Sequence, residues 1–565
     1  MTAPRLITDN LDLWTAAVTP KANNGRGNNG QPELTGIKKL RELILELAVR
    51  GKLVPQDPAD EPASVLLEKI AAEKNRLVKE GKIKKPKPLP AVGEGEQPFA
   101  LPEGWEWFRV GTYLEFQYGK ALPAKDRNEE GNVEVFGSNG VVGFHDVALT
   151  EEPCLVIGRK GSAGAVNKTT NPSWTTDVAY FLVPPEGFDL NFTFLMLQSL
   201  CLEKIGKGIK PGLNRNEAYF LVSAIPPLAE QHRIVEKVDE LMALCDRLEQ
   251  QTSDQLAAHE TLVETLLDTL TRSADATELA ANWTRLQTHF DTLFTTESSI
   301  DRLKQTILQL AVMGRLVPQD PNDEPADLLF QRLAQRRQQW LEENMEHDPE
   351  CRTMLKKLNR IKPASAHFGL PSNWITVHLI QLCRLMVDCH NKTAPYAPEG
   401  IPIIRTSNIR DREFRLPDLK FVNEETYEYW SRRCPPKPYD IIFTREAPMG
   451  EAAIIPEGAK WCLGQRTMLI RPMHEFVSGK YLLLALTEPH LLERASEKAI
   501  GSTVKHLRVG DVEKLSVPLP PMQEQQRIVQ KTDELLAICD QIKVNLNQAD
   551  QTRQKLAEAV VAQTI

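Results

Sequence analysis

The sequence predicts an α+β protein laid out as a pseudo-two-fold internal repeat, with two mixed α/β segments joined by long helices. Three pairs of repeated segments carry that prediction. LRELILELAVRGKLVPQD at Leu40 to Asp57 returns as LKQTILQLAVMGRLVPQD at Leu303 to Asp320 with roughly two thirds of positions identical, too long a match for chance helical composition. PPLAEQHRIVEKVDELMALCD at Pro226 to Asp246 returns as PPMQEQQRIVQKTDELLAICD at Pro520 to Asp540, and LPEGW at Leu101 returns as LPSNW at Leu370. The leading segments lie 263 residues apart (Leu40 to Leu303), the LPxxW entries 269 (Leu101 to Leu370) and the trailing segments 294 (Pro226 to Pro520). The second globular stretch is therefore about 25 residues longer than the first, and the two share little alignable sequence. A constant helical frame around dissimilar inserts implies that the inserts recognise different things.

The elements divide the chain into residues 1–100 (an N-terminal helical region and linker), 101–223 (first mixed segment), 224–369 (central helical region), 370–517 (second mixed segment) and 518–565 (C-terminal helix). From Gly36 to about Lys79 the pattern is helical but is broken by VPQDPADEPAS, whose prolines force a corner before a second helix near Ala63. Lys82 to Pro88 and the GEGEQP stretch read as a solvated linker. In the first insert VEVFGSNGVVGF, PCLVIGRKGSAGAV and DVAYFLVPP read as short strands joined by glycine turns, followed by helix at FTFLMLQSLCLEKI. In the second, IPIIRTSNI, YDIIFTREAPMGEAAII and CLGQRTMLIRP repeat that texture before the helical YLLLALTEPHLLERAS.

After each Pro-Pro pair a long amphipathic helix begins. Ile234, Val238, Leu241, Cys245 and Leu248 form a seam that pauses at Thr252 and Gln255 and resumes at Leu262 and Leu266. Ile528, Leu535, Cys539, Ile542, Leu546 and Leu556 form the corresponding stripe of the C-terminal copy. A helix from Glu230 to Leu270 would be on the order of 60 Å long, a spacer between the inserts, although an ordinary helical bundle would show the same stripe.

Composition sets bounds. At 565 residues, with 41% hydrophobic and 25% charged, the chain reads as a multidomain globular protein. No apolar run reaches membrane-spanning length and MTAPRLITDNLDLW is no signal peptide, which places the protein in the cytoplasm. The nine cysteines are scattered; Cys383, Cys389 and His390 have the wrong spacing for zinc, so free buried thiols are expected and no metal site. The net charge of -8 argues against holding nucleic acid by charge alone. Lys and Arg number 11 against 14 Asp and Glu between Trp105 and Val222, and 20 against 18 between Trp374 and Val517. If DNA is the ligand, cations must gather on one face or partner subunits must supply the phosphate clamp.

A search for catalysis finds none. There is no GxxxxGK[ST] loop, no carboxylate-carboxylate-lysine cluster and no nucleophile with its base and acid. Asn171 to Trp174 resembles the Asn-Pro-Pro-aromatic loop of adenine methyltransferases, but Ser173 replaces the second proline and no glycine-rich cofactor turn precedes it; it reads as a turn. What remains are loop-like clusters of side chains able to read base edges. In the first insert these are Ser138, Asn139, Arg159, Lys160 and Ser162, then Lys207, Lys210, Asn214 and Arg215. In the second they are Asn391, Lys392, Arg405, Thr406, Ser407, Asn408, Arg410, Arg445, Gln465, Arg466 and Lys505. Arg405 to Arg410 and Gly158 to Ser162 stand out because they directly follow apolar strand-like runs.

LAVRGKLVPQDP with its second copy, PPLAEQHRIV with PPMQEQQRIV, and the inserts GRKGSAGAV and REAPMGEAA resemble the specificity subunit of type I restriction-modification systems. The opening LITDNLDLW looks like the subclass with a conserved segment ahead of its first recognition domain. The resemblance covers essentially the whole chain. It implies two target recognition domains, each binding one half of a bipartite asymmetric site on double-stranded DNA, separated by an antiparallel pair of long helices. It also implies no catalysis and no cofactor in this chain. Two methylation subunits docked on the helical regions would supply S-adenosylmethionine chemistry on adenine, and two restriction/translocase subunits would add ATP- and Mg-dependent translocation and cleavage. Leu47, Val54, Leu241, Leu310, Val317 and Leu535, which lie in the repeated helical segments, are the docking candidates. The alternatives from other classes are a solitary methyltransferase or nuclease, which would turn over unaided, and a scaffold whose heads bind proteins.

Overall fold

The structure is a computed structural model that describes residues 9–18, 33–81, 87–205, 212–274, 276–491, 493 and 506–564. It divides into two compact units: Met1–Leu256 with Gln548–Ile565, and Ala257–Asn547. In the first unit, α1 (Leu11–Ala16) places Trp14 in the core beside α2 (Thr35–Val49). Ile37, Leu40, Leu43, Ile44 and Leu47 repeat at helical spacing along α2, and all are buried. The Pro-rich corner follows, and α3 (Ala63–Lys79) restarts directly after Pro62, as the prolines require. Most of the expected linker at Lys82 to Pro88 lies outside the described residues.

The first insert enters on β1 (Glu106–Arg109) and leaves on β9 (Val222–Ile225), which pair antiparallel and close its base. Between them lie β2 (Gln117–Tyr118), β3 (Val133–Gly137), β4 (Gly140–His145), β5 (Cys154–Gly158), β6 (Val166–Thr169), β7 (Ser173–Thr175) and β8 (Ala179–Leu182). They form a four-stranded sheet in the order β2-β8-β5-β6 and a three-stranded sheet in the order β4-β3-β7. Central β5 and β8 are apolar and wholly buried, as a strand covered on both faces must be. Helices α4 (Leu190–Ser199) and α5 (Arg215–Tyr219) complete the domain before α6 (Leu228–Arg272) begins. Thr170 and Asn171 bend the chain into β7, so the turn expected over Asn171 to Trp174 holds only at its start, and Ser173 and Trp174 are strand.

The second unit repeats this plan. α7 (Glu297–Val312) and α8 (Ala326–Asn344) lead into an insert bracketed by β10 (Ile375–His378) and β20 (Ser516–Leu519), again an antiparallel pair. Within it, β11 (Cys383–Asp388), β19 (Thr467–Pro472), β16 (Ile441–Arg445) and β17 (Met449–Ile454) form the four-stranded sheet in that order. β15 (Lys420–Val422), β12 (Ile401–Ile404) and β18 (Cys462–Leu463) form the three-stranded one. The pairings correspond in sense: β3 with β7 and β12 with β18 are parallel, and the neighbours in the larger sheets are antiparallel. Inserts without alignable sequence therefore share one topology. Helix α9 (Gly479–Leu486) covers the first part of the expected YLLLALTEPHLLERAS helix; a break at Thr487 and Glu488 follows, helix resumes at Pro489 to Leu491, and residues 492 and 494–496 of that stretch lie outside the described residues. The chain closes with α10 (Met522–Thr564).

The three repeated motifs meet in space, once in each unit. Glu230, 1% exposed, accepts from Trp105 Nε1 at 3.1 Å and from Gln56 Nε2 at 3.1 Å. Glu524, 0% exposed, accepts from Trp374 Nε1 and Gln319 Nε2, both at 3.0 Å. Gln56 and Gln319 also donate to the carbonyls of Gly51 and Gly314. These glycines hold φ +67° and +69°, and a Cβ on either would press to within about 3 Å of the Trp ring. Beside each knot an arginine pairs with the aspartate of the Pro-rich corner, Arg233 with Asp60 at 2.7 Å and Arg527 with Asp323 at 2.6 Å. Next to each glutamate a glutamine, Gln231 or Gln525, accepts from the insert's backbone at Asp189 or Ser478, both at 2.8 Å. Burial pushes the Glu230 carboxyl above its ordinary range even though Gln56, Trp105 and Arg233 pull it down.

Both long helices are shared between the units. In the first unit the start of α6 packs with Ala557, Val560 and Val561 near the end of α10; in the second its end packs with Cys539, Ile542 and Leu546. Start against end is the antiparallel sense. The seam is as expected at Ile234, Val238, Leu241 and Cys245, but it slips beyond the polar pause. Leu262 is 49% exposed and Val263, Leu267 and Leu270 are buried instead; Leu556 is 54% exposed while Ala557 is buried. An α-helix drifts against a strict heptad, so the stripe moves by one residue once a new partner meets it.

The docking candidates are corrected by the same packing. Leu47, Leu241 and Leu310 are at most 5% exposed inside their own unit's core, and Val54, Val317 and Leu535 pack half-buried against core clusters. Leu47, Leu241 and Leu310 therefore stabilise the fold and offer no free face, whereas Val54, Val317 and Leu535 keep part of their surface. No helix among the described residues is long and apolar enough to cross a membrane.

The polar knots yield a stability prediction. Glu230→Ala or Glu524→Ala leaves a buried Trp N–H and a Gln N–H without an acceptor and should cost roughly 1–3 kcal/mol. Urea denaturation checks it; a change under about 0.5 kcal/mol would show that the knots are incidental.

Candidate nucleic-acid interface

Strand pairing places the nominated loops at one edge of each insert. In the first, Ser138 and Asn139 form the two-residue turn between β3 and β4. That turn lies against the loop after β5: a Cβ on Gly158 would fall 2.4 Å from Ser138 O and 2.0 Å from Ser162 O, so only glycine allows the two loops to approach. Lys160 bridges to Gly212, and Leu213 N donates to Arg159 O at 2.9 Å, bringing in Asn214 and Arg215 at the start of α5. The Asn214 side chain caps that helix by accepting from Asn216 N at 2.9 Å. Arg159, Lys160, Ser162, Ser138, Asn139, Asn214 and Arg215 thus form one cluster. Lys207 and Lys210 lie outside the described residues.

The registers identify the equivalent positions in the second insert. Thr176 N donates to Phe136 O and Gly464 N to Ile404 O, so Ser138 and Asn139 correspond to Thr406 and Ser407. Arg159 N donates to Val178 O and Arg445 N to Arg466 O, so Arg159 corresponds to Arg445 and Val178 to Arg466. Lys160 to Gly212 is matched by the bridge from Glu446 to His506. Here Arg405, Thr406, Ser407, Gln465, Arg466 and Glu446 line a pocket of about 300 Å3 together with Thr393 and Tyr396. Gln465 spans to the neighbouring loop, donating to Asn391 O at 3.1 Å and accepting from Thr393 Oγ1 at 3.1 Å. Asn391 and Lys392 are exposed beside it, and Arg466 and Glu446 form an ion pair at 2.8 Å, out of line for a hydrogen bond. Lys505 lies outside the described residues.

Two nominated residues are corrected. Asn408 is 1% exposed and its amide is consumed: Oδ1 accepts from Arg405 N at 3.1 Å, and Nδ2 donates to Arg415 O at 3.2 Å. It shapes the loop and reaches no ligand. Arg445 is 5% exposed, paired with Asp388 Oδ1 at 2.7 Å and donating to Leu507 O at 3.1 Å. Its charge is neutralised inside the domain.

Pairing separates the remaining cations into two kinds. Arg109, Arg233, Arg445, Arg471 and Arg527 each bind a carboxylate. Among the described residues Arg159, Lys160, Arg215, Lys392, Arg405 and Arg410 form no ion pair. Arg159 donates only to Asp177 O, Arg215 to Phe116 O, Arg410 to the carbonyls of Thr406 and Ile409, and Arg405 to Asn408 Oδ1 and Asp418 O. Held in place yet left charged, such groups suit a polyanion. Sequence reasoning missed Tyr118 and Tyr396, which are 50% and 48% exposed beside these cations. The signal available for Tyr118 was a strand ending in an aromatic followed by Gly119 and Lys120.

All nine cysteines are free, eight of them buried; burial pushes the Cys434 and Cys462 thiols up to about 11. Among the described residues no group of His, Cys, Asp or Glu is placed to hold a metal ion.

The family model described as the type I restriction modification DNA specificity domain matches residues 102–258 and 371–549, one match per insert. The type I restriction enzyme EcoAI specificity subunit of Escherichia coli is 36% identical over 99% of both chains. The EcoEI specificity subunit of Escherichia coli is 35% identical over 99% of both. Among solved structures, an HsdS subunit from Thermoanaerobacter tengcongensis superposes on 83% of this chain and 98% of its own at 16% identity and a TM-score of 0.38. With two matched domains on a duplicated frame and full-length relatives of the same kind, the chain belongs to the specificity subunits of type I restriction-modification enzymes.

Proposed function

We propose that this chain is the DNA-recognition subunit of a type I restriction-modification complex. Each mixed domain reads one half of a bipartite, asymmetric site on double-stranded DNA, and the long helices set the spacing and dock the methylation subunits. One observation carries the reading. The same loops, on the same strand frame, present unlike side chains in the two domains, with arginines held by carbonyls and left unpaired. That is what two readers of different sequences on a common scaffold require.

On this reading the chain does no chemistry itself. S-adenosylmethionine, ATP and Mg reside on partner subunits, two for methylation and two for restriction and translocation, and the complex works in the cytoplasm. Docking draws on apolar side chains that the helices leave outside, such as Leu262, Ile538, Val544 and Leu556, all about half exposed. A protein-only scaffold would have no use for unpaired arginines around a polar pocket, and a solitary enzyme would turn over without partner subunits.

Long-read methylome sequencing of cells carrying this chain with its methylation subunit should return one bipartite motif with two unlike halves. A continuous motif, or none, would defeat the reading. Arg405→Ala should relax one base position in one half only, since a well-placed arginine contributes about 1–3 kcal/mol of discrimination. Arg445→Ala should act differently. It strands Asp388 and should cost on the order of 3 kcal/mol of stability, seen as a lower denaturation midpoint, with the motif unchanged in whatever complex still assembles.

A further inference from the structure

The first recognition domain contains an arrangement without counterpart among the described residues of the second. Tyr118 ends β2 with its ring half exposed, and the guanidinium carbons of Arg159 and Arg215 lie 5.0 Å and 4.8 Å from its centroid. Two further rings support them: Tyr180 lies 5.9 Å from Arg159, and Tyr219 lies 5.6 Å from Arg215. Tyr118 itself meets Tyr180 edge-on at 5.1 Å. One nitrogen of each guanidinium is fixed by a carbonyl, Arg159 Nη1 on Asp177 O and Arg215 Nη1 on Phe116 O, both at 3.0 Å. Neither has a carboxylate partner among the described residues. The loops beneath are pinned by the Lys160 to Gly212 bridge and by Tyr180 Oη donating to Leu213 O at 3.1 Å.

In the second domain the same frame is filled differently. Tyr118 pairs with Tyr180 across from Ile157, and Asp388 pairs with Met468 across from Phe443, so Asp388 stands where Tyr118 stands. It takes up Arg445, the equivalent of Arg159. Leu213 and Leu507 make corresponding bonds, to Arg159 O and Arg445 O, which puts Val509 in the place of Arg215. The second domain neutralises the arginine at this position. The first carries two arginines there, holds both within 5.0 Å of one ring centroid and gives neither a carboxylate partner among the described residues.

A guanidinium lying over a ring is held as a plane with its remaining N–H groups directed along that plane. Two parallel donors on a fixed plane match O6 and N7 of guanine in the major groove, and lysine, a compact ammonium on a flexible stem, reaches the same acceptors without that pre-organised fork. We propose that Arg159 and Arg215 each read a guanine in the half-site of the first recognition domain, and that Tyr118 is the positioning residue that racks both. The proposal rests on the reading of the chain as a DNA-recognition subunit and adds the bases read and the residues that read them.

The test is methylome sequencing of the complex formed by this chain and its methylation subunit, comparing wild type with Arg159→Lys, Arg215→Lys, Tyr118→Leu and Tyr118→Phe. Arg405→Ala identifies the half-site of the second domain. Each lysine variant keeps the charge but loses the fork, and it should relax discrimination at one G·C pair of the other half-site about tenfold or more. Tyr118→Leu should relax the same two positions, while Tyr118→Phe, which keeps the ring, should leave the motif as in wild type. An unchanged motif in both lysine variants, or relaxation at A·T pairs or in the second half-site, overturns the assignment of guanine to these arginines. Tyr118→Leu behaving as Tyr118→Phe overturns the positioning role. A wild-type complex that methylates no bipartite motif overturns the DNA-recognition reading itself, a failure distinguishable from the others.

Discussion

Everything else in this protein hangs on a buried carboxylate, present twice. Glu230 and Glu524 each sit at the start of a long helix and hold a Trp from the entry of the insert and a Gln from the corner after the leading helix. Three segments far apart in sequence are locked by one side chain, and an apolar residue could not do this. Hydrophobic packing would hold the same surfaces together in several registers, whereas a carboxylate with two donors accepts one. Withdrawing a carboxylate from water is costly, and it is tolerated here because both oxygens are satisfied and an arginine lies nearby. The residues that recur in the sequence are therefore those that fix the insert on its helices. Gly51 and Gly314 recur for the same reason, since any Cβ there would strike the locked Trp.

With the base of each insert fixed, the strand frame can be common while the loops diverge. Backbone hydrogen bonds set the order of the sheets, and they ask only that central strands be apolar and that tight approaches be glycine. Beyond the ends of the strands nothing in the core constrains identity. The contrast at one position shows how function uses that freedom: Arg159 lies over Tyr118, and Arg445 is taken up by Asp388. A single exchange on the neighbouring strand decides whether an arginine is presented or consumed.

The sequence made legible whatever is periodic or repeated. The leading helices, the corner, the long helices and the short strands appear close to where spacing and turn residues put them, because local rules govern them. It did not reveal that the two inserts share a topology, since strand order is written in apolar character and not in identity. Nor did it separate presented from consumed side chains. Arg445 and Asn408 look as exposed in sequence as Arg405, but the partner of Arg445 is 57 residues away on another strand. Asn408 is consumed by the backbone of its own loop, which only the fold brings into reach. Leu262 and Leu556 were misplaced for a third reason: helical drift moves a stripe off its heptad wherever the neighbour changes, and the neighbour is a tertiary fact.

Charge decides how such a scaffold can bind DNA at all. A chain with a net charge of -8 exerts no long-range pull on a polyanion, and at physiological salt fields fade within about 8 Å. On the proposed reading the unpaired arginines act only on contact, so they contribute little to encounter and much to discrimination. On the proposed reading, affinity then comes from partner subunits that neutralise phosphates, and this chain contributes choice among sequences. That division favours arginines without carboxylate partners over a general basic patch. A basic patch would hold any DNA, whereas a few guanidinium groups, each fixed by a carbonyl or a ring, reward only the bases whose acceptors they meet. On the same reading the half-exposed apolar residues of the long helices serve a subunit that must recruit its catalysts, since reading sequence gives them no use.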